Sequence, residues 1–231
     1  TAAYYVIDLV DFEQVGPPLS QPTGSLSITD FAATPNDNSD DAAAIQNAIN
    51  AARSQGKVLW LPPGRFDVQS TILTTSDVTI RGAGMWHSVI QGLLAHFRVS
   101  GNNNQFSDFA LFGEVTARDD NAPENDGFRG SAGTGSVMER VWIEHVKAGW
   151  WVSYVGAQPS TPVTDGLTVR GVRVRNTYAD GINFCNGTSN SRVEQSAFRN
   201  TGDDSIATWS PSFDGPPGTG NTFRFNTVQA P

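Results

Sequence analysis

From Ala42 to Ala52 apolar residues recur every three or four positions, and after Lys57 they recur every second one. Ala42, Ile45, Ile49 and Ala52 therefore share one face of a helix within "SDDAAAIQNAINAARSQG". Ser39 is the expected N-cap, Asp40 and Asp41 fall in the first turn where the helix dipole favours acids, and Gly56 ends the helix. "KVLWLPPGRFDV" reads as a strand, a Pro-Pro-Gly turn and a second strand. Further short strands are expected around Val78–Ile80, Phe97–Val99, Phe109–Phe112, Val137–Ile143, Leu167–Val174, Val193–Phe198 and Phe223–Val228. Ahead of the helix, "YYVIDLVDF" and "VGPPLSQPTG" suggest a strand or two and a linker. Residues 1–24 are thus an N-terminal extension, and 25–231 form the main domain.

A repeat organises the second half. Val169 and Val193, Val174 and Phe198, Asn176 and Asn200, Thr177 and Thr201, and Ile182 and Ile206 all stand 24 positions apart. Asn226-Thr227 returns 26 positions after Asn200-Thr201, and "HVKAGWWV" precedes "NTYADGIN" by 31. A repeat of this length made of short strands is the signature of a solenoid, whose coils bury their apolar sides by stacking. Parallel strands lie about 4.8 Å apart, so equivalent residues form columns. Asn176, Asn200 and Asn226 are expected to form an interior column of amides, and the valine and Phe198 positions an apolar one. The fold class is all-β, a parallel β-helix whose N-terminal end is capped by the one α-helix.

Composition narrows the chemistry. The net charge is −8 with 16% charged residues, which excludes a phosphate-neutralising nucleic-acid binder and disfavours a polyanionic substrate. The single cysteine, Cys185, cannot form an intrachain disulfide and reads as a small buried residue. No apolar run approaches the ~20 residues of a membrane span. Thr1 reads as a mature N-terminus, and the expected location is extracellular.

On the 24-residue register Asp180 aligns with Asp204, while Asp203 aligns with Ala179. Three carboxylates thus converge on one lateral position. Like charges at coil spacing repel, so their grouping points to function. Glycoside hydrolysis needs such a group, with one acid protonating the leaving oxygen and another carboxylate activating water. Trp142, Trp150, Trp151 and Trp209 are expected nearby, with Trp209 the best ring to stack on a sugar. Trp150 and Trp151 alternate sides, so one of them at most lines the groove. His145 aligns with Asn176; an interior hydrogen bond in the asparagine column is the leading reading, a sugar contact the other. The acidic loop 117–127 reads first as a solvated loop, with a structural calcium through Asp119, Asp120 or Asp126 as the alternative, although the EF-hand spacing is absent.

"SDDAAAIQNAINAARSQGKVLWLPPGRF" resembles the N-terminal cap of the pectate-lyase-like superfamily of right-handed parallel β-helices. "FALFGEV", "VWIEHVKAGWWV", "NTYADGINF", "RNTGDDSIATWS" and "NTFRFNTVQAP" together resemble glycoside hydrolase family 87, the α-1,3-glucanases and mycodextranases. The resemblance spans residues 25–231. It implies a secreted, inverting endo-hydrolase of α-1,3-glucosidic linkages in a neutral α-glucan, working without a catalytic cofactor through Asp180, Asp203 and Asp204. By similarity to polygalacturonases Asp203 is the general acid, and Asp180 and Asp204 share the water. Apart from the resemblance, Trp209, Trp151, His145 and Asn183 are the candidate sugar contacts.

The sequence departs from the family pattern at "NFC", where a leucine-histidine pair is expected beside Asp180. It also stops at Pro231, where the family continues with more coils. A C-terminal segment or second chain is therefore expected to complete the β-helix. The alternatives are a dextranase, a polygalacturonase, a calcium-dependent lyase using Arg175 or Arg199, and a non-catalytic glycan-binding β-helix.

Overall fold

The computed structural model describes residues 12–71, 73–152, 163–210 and 216–229. Strand β1 (Leu26–Ser27) and helix α1 (Ala42–Gln55) precede a stack of coils. The first coil is β2 (Val58–Leu61), β3 (Gly64–Asp67) and β4 (Leu73–Ser76). The second is β5 (Thr79–Gly82), β6 (Ser88–Gln91) and β7 (Phe97–Ser100). In the third the first two strands merge into β8 (Gln105–Phe112), followed by β9 (Phe128–Gly130). The fourth repeats this with β10 (Val137–Glu144) and β11 (Trp150–Val152). The fifth is β12 (Thr168–Arg170), β13 (Arg173–Arg175) and β14 (Ile182–Cys185), and the sixth β15 (Arg192–Glu194), β16 (Ala197–Arg199) and β17 (Ile206–Trp209). Strands β18 (Thr222–Arg224) and β19 (Thr227–Gln229) follow.

Every strand pairs in parallel with its equivalent in the next coil, building three faces. This is the expected parallel β-helix. Val169 opposes Val193, Val174 opposes Phe198 and Ile182 opposes Ile206, so the 24-residue register holds there. The interior of the third face is an apolar column: Phe97 stacks on Phe128 at 5.1 Å, and Phe128 lies 5.6 Å from Trp150. Burying a side chain of this size stabilises by about 1.5–3 kcal/mol.

Several expected single strands are in fact two. Asp108, Arg140, Gly171, Gln195 and Phe225 occupy one column, and all have positive φ. One left-handed residue turns the chain from the first face to the second, separating β12 from β13, β15 from β16 and β18 from β19. Only Gly171 is an obvious turn former, which is why the sequence reads straight through these corners.

A second left-handed column explains the asparagines. His145, Asn176 and Asn200 have φ of 54°, 49° and 52° and follow the second face. Asparagine tolerates this conformation better than most residues. Asn200 Nδ2 donates to Asn176 Oδ1 at 3.1 Å, so an amide ladder exists. It lies on the outer corner instead of the interior, because a left-handed corner residue projects outward; Asn200 is exposed. Asn226 is not part of it. Residues 197–199 pair with 227–229, an offset of 30, so Asn226 stands opposite Ser196 and accepts from its amide at 3.0 Å. The observed offset is four residues longer than the 26-residue spacing.

Helix α1 buries Ala42, Ile45, Ala48, Ile49 and Ala52 against the first coil, as its period predicted. It starts two residues later than expected. Its N-cap is Asp41, not Ser39, and the Asp41 carboxylate is drawn away to the amides of Thr34 and Asp67. Gly56 closes the helix in the left-handed conformation. The expected strand at "YYVIDLVDF" lies outside the described residues apart from Phe12, and so does most of the loop before Val163. Among the described residues no helix is long and apolar enough to cross a membrane. Cys185 is buried, and so are Asn186 and Thr188 of a glycosylation sequon. On the last strands Phe223, Phe225 and Val228 are exposed.

Candidate active site

The turns that lead into the third face stack as regularly as its strands. The Gly181 amide donates to the Asp204 carbonyl at 2.8 Å, and the Gly149 amide to the Asp180 carbonyl at 3.0 Å. Asp180 therefore stands directly over Asp204. The amides of Gly202 and Asp203 both point to the Ala179 carbonyl, and the Ala179 amide to the Lys147 carbonyl. Lys147, Ala179 and Asp203 form the neighbouring column. Hydroxyls fasten these turns: Thr177 Oγ1 donates to the Ala179 carbonyl at 2.8 Å and Thr201 Oγ1 to the Asp203 carbonyl at 3.1 Å.

The three aspartates meet. One carboxylate oxygen from each lies within 4.8 Å of the others. Asp180 is only 6% exposed, whereas Asp203 and Asp204 face solvent. Burial pushes the Asp180 carboxyl above the usual carboxylate range, and the charges of Asp203 and Asp204 push it the same way. Asn183, whose Nδ2 donates to Asp180 Oδ2 at 2.6 Å, opposes them. Asn183 thus contacts the acid itself.

These residues line a cleft of about 450 Å³. Its wall is the outward column Arg129, Trp151, Asn183 and Ala207 on β9, β11, β14 and β17. Trp151 and Trp209 both border it, with ring centroids 5.7 Å apart and planes at 68°. Trp209 is 40% exposed, and Trp150 points inward and is fully buried. Trp142 is elsewhere. It packs with Trp86 and Phe112 beneath the Arg175 guanidinium on the second face. His145 is outside the cleft as well. Its left-handed corner position turns the ring outward, half exposed, with Nε2 3.4 Å from Glu144 Oε1, so it makes no interior bond.

Three basic side chains line the cleft that the sequence reading did not single out: Arg118, Arg129 and Lys147. Arg118 Nη1 donates to Asp203 Oδ2 at 2.7 Å, and its Nε to Asp120 Oδ1 at 2.9 Å. Arg129 Nη1 donates to Asp126 Oδ2 at 2.6 Å, and Lys147 Nζ lies 3.5 Å from Asp126 Oδ1. Arg129 also sits 5.7 Å over the Trp151 ring. Behind Asp126, His96 is fully buried, and burial lowers its ring pKa to about 4. A 32-residue offset from Lys147 to Ala179 would have exposed the lysine; the extra residue between "GWWV" and "DGIN" hid it.

These pairings give each acid offered for calcium in the loop 117–127 a partner within the chain. Asp126 is a buried ion-pair partner, Asp120 is taken by Arg118, and Asp119 caps the Asn121 amide. The three do not converge. The arginines considered for a lyase fail as well, since Arg175 packs over Trp142 and Arg199 lies on β16, also on the second face.

Residues 38–230 match the family described as alpha-1,3-glucanase catalytic domain D2. Among solved structures, the Agl-KA catalytic domain is 37% identical over 93% of the chain, with a TM-score of 0.83. The catalytic unit of a thermostable GH87 alpha-1,3-glucanase from Streptomyces thermodiastaticus strain HF3-3 is 37% identical over 94%, with a TM-score of 0.80. A GH87 alpha-1,3-glucanase catalytic domain in complex with tetrasaccharides, an aspartate-to-alanine variant, is 23% identical over 94% of the chain and 41% of its own length. Its TM-score is 0.72. The chain spans 39% and 38% of the first two. No curated protein matches significantly.

Proposed function

The chain belongs to the α-1,3-glucanases of glycoside hydrolase family 87, and on that premise we propose that its cleft hydrolyses α-1,3-glucosidic linkages inside a neutral α-glucan with inversion. Asp203 protonates the glycosidic oxygen as its bond to the anomeric carbon breaks. Water adds to that carbon from the opposite side, and its proton goes to the Asp180–Asp204 pair. One water is consumed, and the new reducing end has the inverted configuration. The chemistry needs no cofactor, and a polymeric substrate places the enzyme outside the cell.

The observation that carries this reading is the convergence of three carboxylates from two successive coils in a cleft bordered by Trp151 and Trp209. Inverting pairs stand about 6.5–9.5 Å apart to admit water, wider than the 4.8 Å within which the nearest oxygens of the three aspartates lie, so Asp203 has to swing outward for the water to enter. Asp180 and Asp204, stacked directly, suit a shared water. Asp203, at the exposed edge, suits the leaving oxygen. The GH87 structures solved with oligosaccharides supply separate support. The aspartates replaced in them stand 23 and then one position apart, the spacing of Asp180, Asp203 and Asp204.

Arg118, Arg129 and Lys147 favour a second reading, an acidic polysaccharide in the same cleft. Their pairing with Asp203 and Asp126 leaves little charge to offer a uronate. Reducing-end release by the full-length protein on α-1,3-glucan, nigeran, dextran and polygalacturonate separates the two. Asp203→Asn serves as the inactive control, and NMR of the first product gives the anomer. Cleavage of polygalacturonate alone would overturn the reading.

A further inference from the structure

Asp203 is asked to deliver a proton, yet it is ion-paired. Its partner comes from far along the chain. Arg118 is 85 positions away in sequence, on the turn after β8 in the third coil, while Asp203 precedes β17 in the sixth. Between them in the neighbouring column stand Lys147 and Ala179, which line the same cleft. Asp120 fixes the guanidinium from the other side, its two oxygens 2.9 and 3.2 Å from Arg118 Nε. The pair is half exposed, with side-chain exposures of 44% and 48%. Ion pairs this open are weak and exchange readily with other partners.

The other charged groups around Asp203 are accounted for. Asp180 and Asp204 face it from the stacked turns. Lys147 from the turn before β11 and Arg129 on β9 are held by Asp126. Arg118 is therefore the cation that contacts Asp203 among the described residues.

Resting on the hydrolase reading above, we infer that Arg118 is a positioning residue for the general acid: it holds Asp203 as an ion pair at the cleft, and the incoming glucan breaks that pair. Once released, Asp203 takes a proton from solvent and gives it to the glycosidic oxygen. A favourable cation beside a carboxylate keeps it ionised to lower pH. Removing that cation must therefore move the alkaline limb of activity upward.

The test is the pH dependence of kcat/KM for α-1,3-glucan with the full-length protein. In Arg118→Gln the alkaline limb should rise, and Arg118→Lys should bring it back toward the parent. Asp120→Asn removes the competing carboxylate and leaves the guanidinium to Asp203 alone, so it should move the limb the other way, downward. This variant serves if Arg118→Gln does not fold. An unmoved limb in the folded Arg118 variant, or in Asp120→Asn if that is the variant that folds, overturns the inference. A parent whose Asp203→Asn variant stays fully active would instead overturn the assignment of Asp203 as the acid, leaving the two failures distinct.

Discussion

Asp180 and Asp204 occupy the same position of successive coils, joined through the Gly181 amide at 2.8 Å from the Asp204 carbonyl. A β-helix makes this inevitable once the register is fixed, and it brings two like charges to rung spacing. Replacing either by asparagine keeps the shape and removes the base. Asp180→Asn and Asp204→Asn should each lower kcat on α-1,3-glucan by about 10²–10⁴-fold, as should Asp203→Asn for the acid. Reducing-end assays on the full-length protein measure this. Full activity in Asp204→Asn would remove it from the proposed base.

The same proximity costs stability. Asp180 has its carboxyl pushed above the 3.8 of an ordinary aspartate, first by burial and then by Asp203 and Asp204. A raised folded-state value favours folding in full below 3.8, and that contribution is lost as pH climbs through the folded-state value. At neutral pH the buried charge is therefore a burden. Asp180→Asn should raise Tm by about 2–4 °C near pH 7, as ~1 kcal/mol does in a chain of this size, and the gain should vanish near pH 3. A lower Tm at pH 7 would show that Asn183 more than offsets the burial.

This carboxylate cluster was legible from sequence because the 24-residue spacing is unbroken between Asp180 and Asp204. Trp151 and Trp209 were legible for the same reason, through the alternation along a strand. The basic half of the cleft was not. Arg118 and Arg129 sit on a coil whose repeat length differs, and Lys147 is displaced by one residue from the assumed offset. Asn226 failed in the same way, through a longer loop. Columns can be read only where coil lengths agree. His145 failed for another reason: a left-handed corner turns a side chain outward, and single residues such as Arg140 or Gln195 give no warning of such a corner.

Trp151 and Trp209 border the cleft at 5.7 Å from each other. Trp209 is the more open ring, and Trp151 braces it while Arg129 lies over its face. Trp209→Ala should weaken binding of an α-1,3-linked oligosaccharide by about 5–10-fold, the worth of an aromatic contact of ~1 kcal/mol or slightly more. KM should rise and kcat change little. Trp151→Ala should do at least as much, since it also frees Trp209. Titration calorimetry on an Asp203→Asn background reads both. Unchanged affinity in both variants would mean the sugar runs along another wall.

Asp126 holds the cleft's two other cations from behind. Its side chain is fully buried between Arg129 Nη1 at 2.6 Å and Lys147 Nζ at 3.5 Å. Removing one member of a buried ionic group leaves the others uncompensated, at a cost of about 3–5 kcal/mol. Asp126→Ala should lower Tm by roughly 10 °C, with Asp126→Asn costing less because it can still accept a hydrogen bond. A drop of under ~2 °C for alanine would show that solvent reaches Lys147 readily.

Gly181 couples the site to the stacking of the coils. It lies between Asp180 and β14, and a Cβ there would come within 2.3 Å of the Ser205 carbonyl oxygen and 2.8 Å of the Phe198 ring. Neither neighbour can yield cheaply: one is backbone in the next coil and the other is a buried core ring. Alanine must therefore push the fifth and sixth coils apart at the level where Asp180 and Asp204 meet. Overpacking of this kind costs about 1–3 kcal/mol, so Gly181→Ala should lower Tm by several degrees. Because the shift falls between the two carboxylates, kcat should also fall by about tenfold or more while KM stays near the parent value. Gly56→Ala is the comparison, since its Cβ meets nothing within 4 Å and any cost arises from the left-handed φ at the end of α1. That variant should lose stability with kcat unchanged. Equal losses of kcat in both would show that activity follows global stability and not the spacing of Asp180 and Asp204.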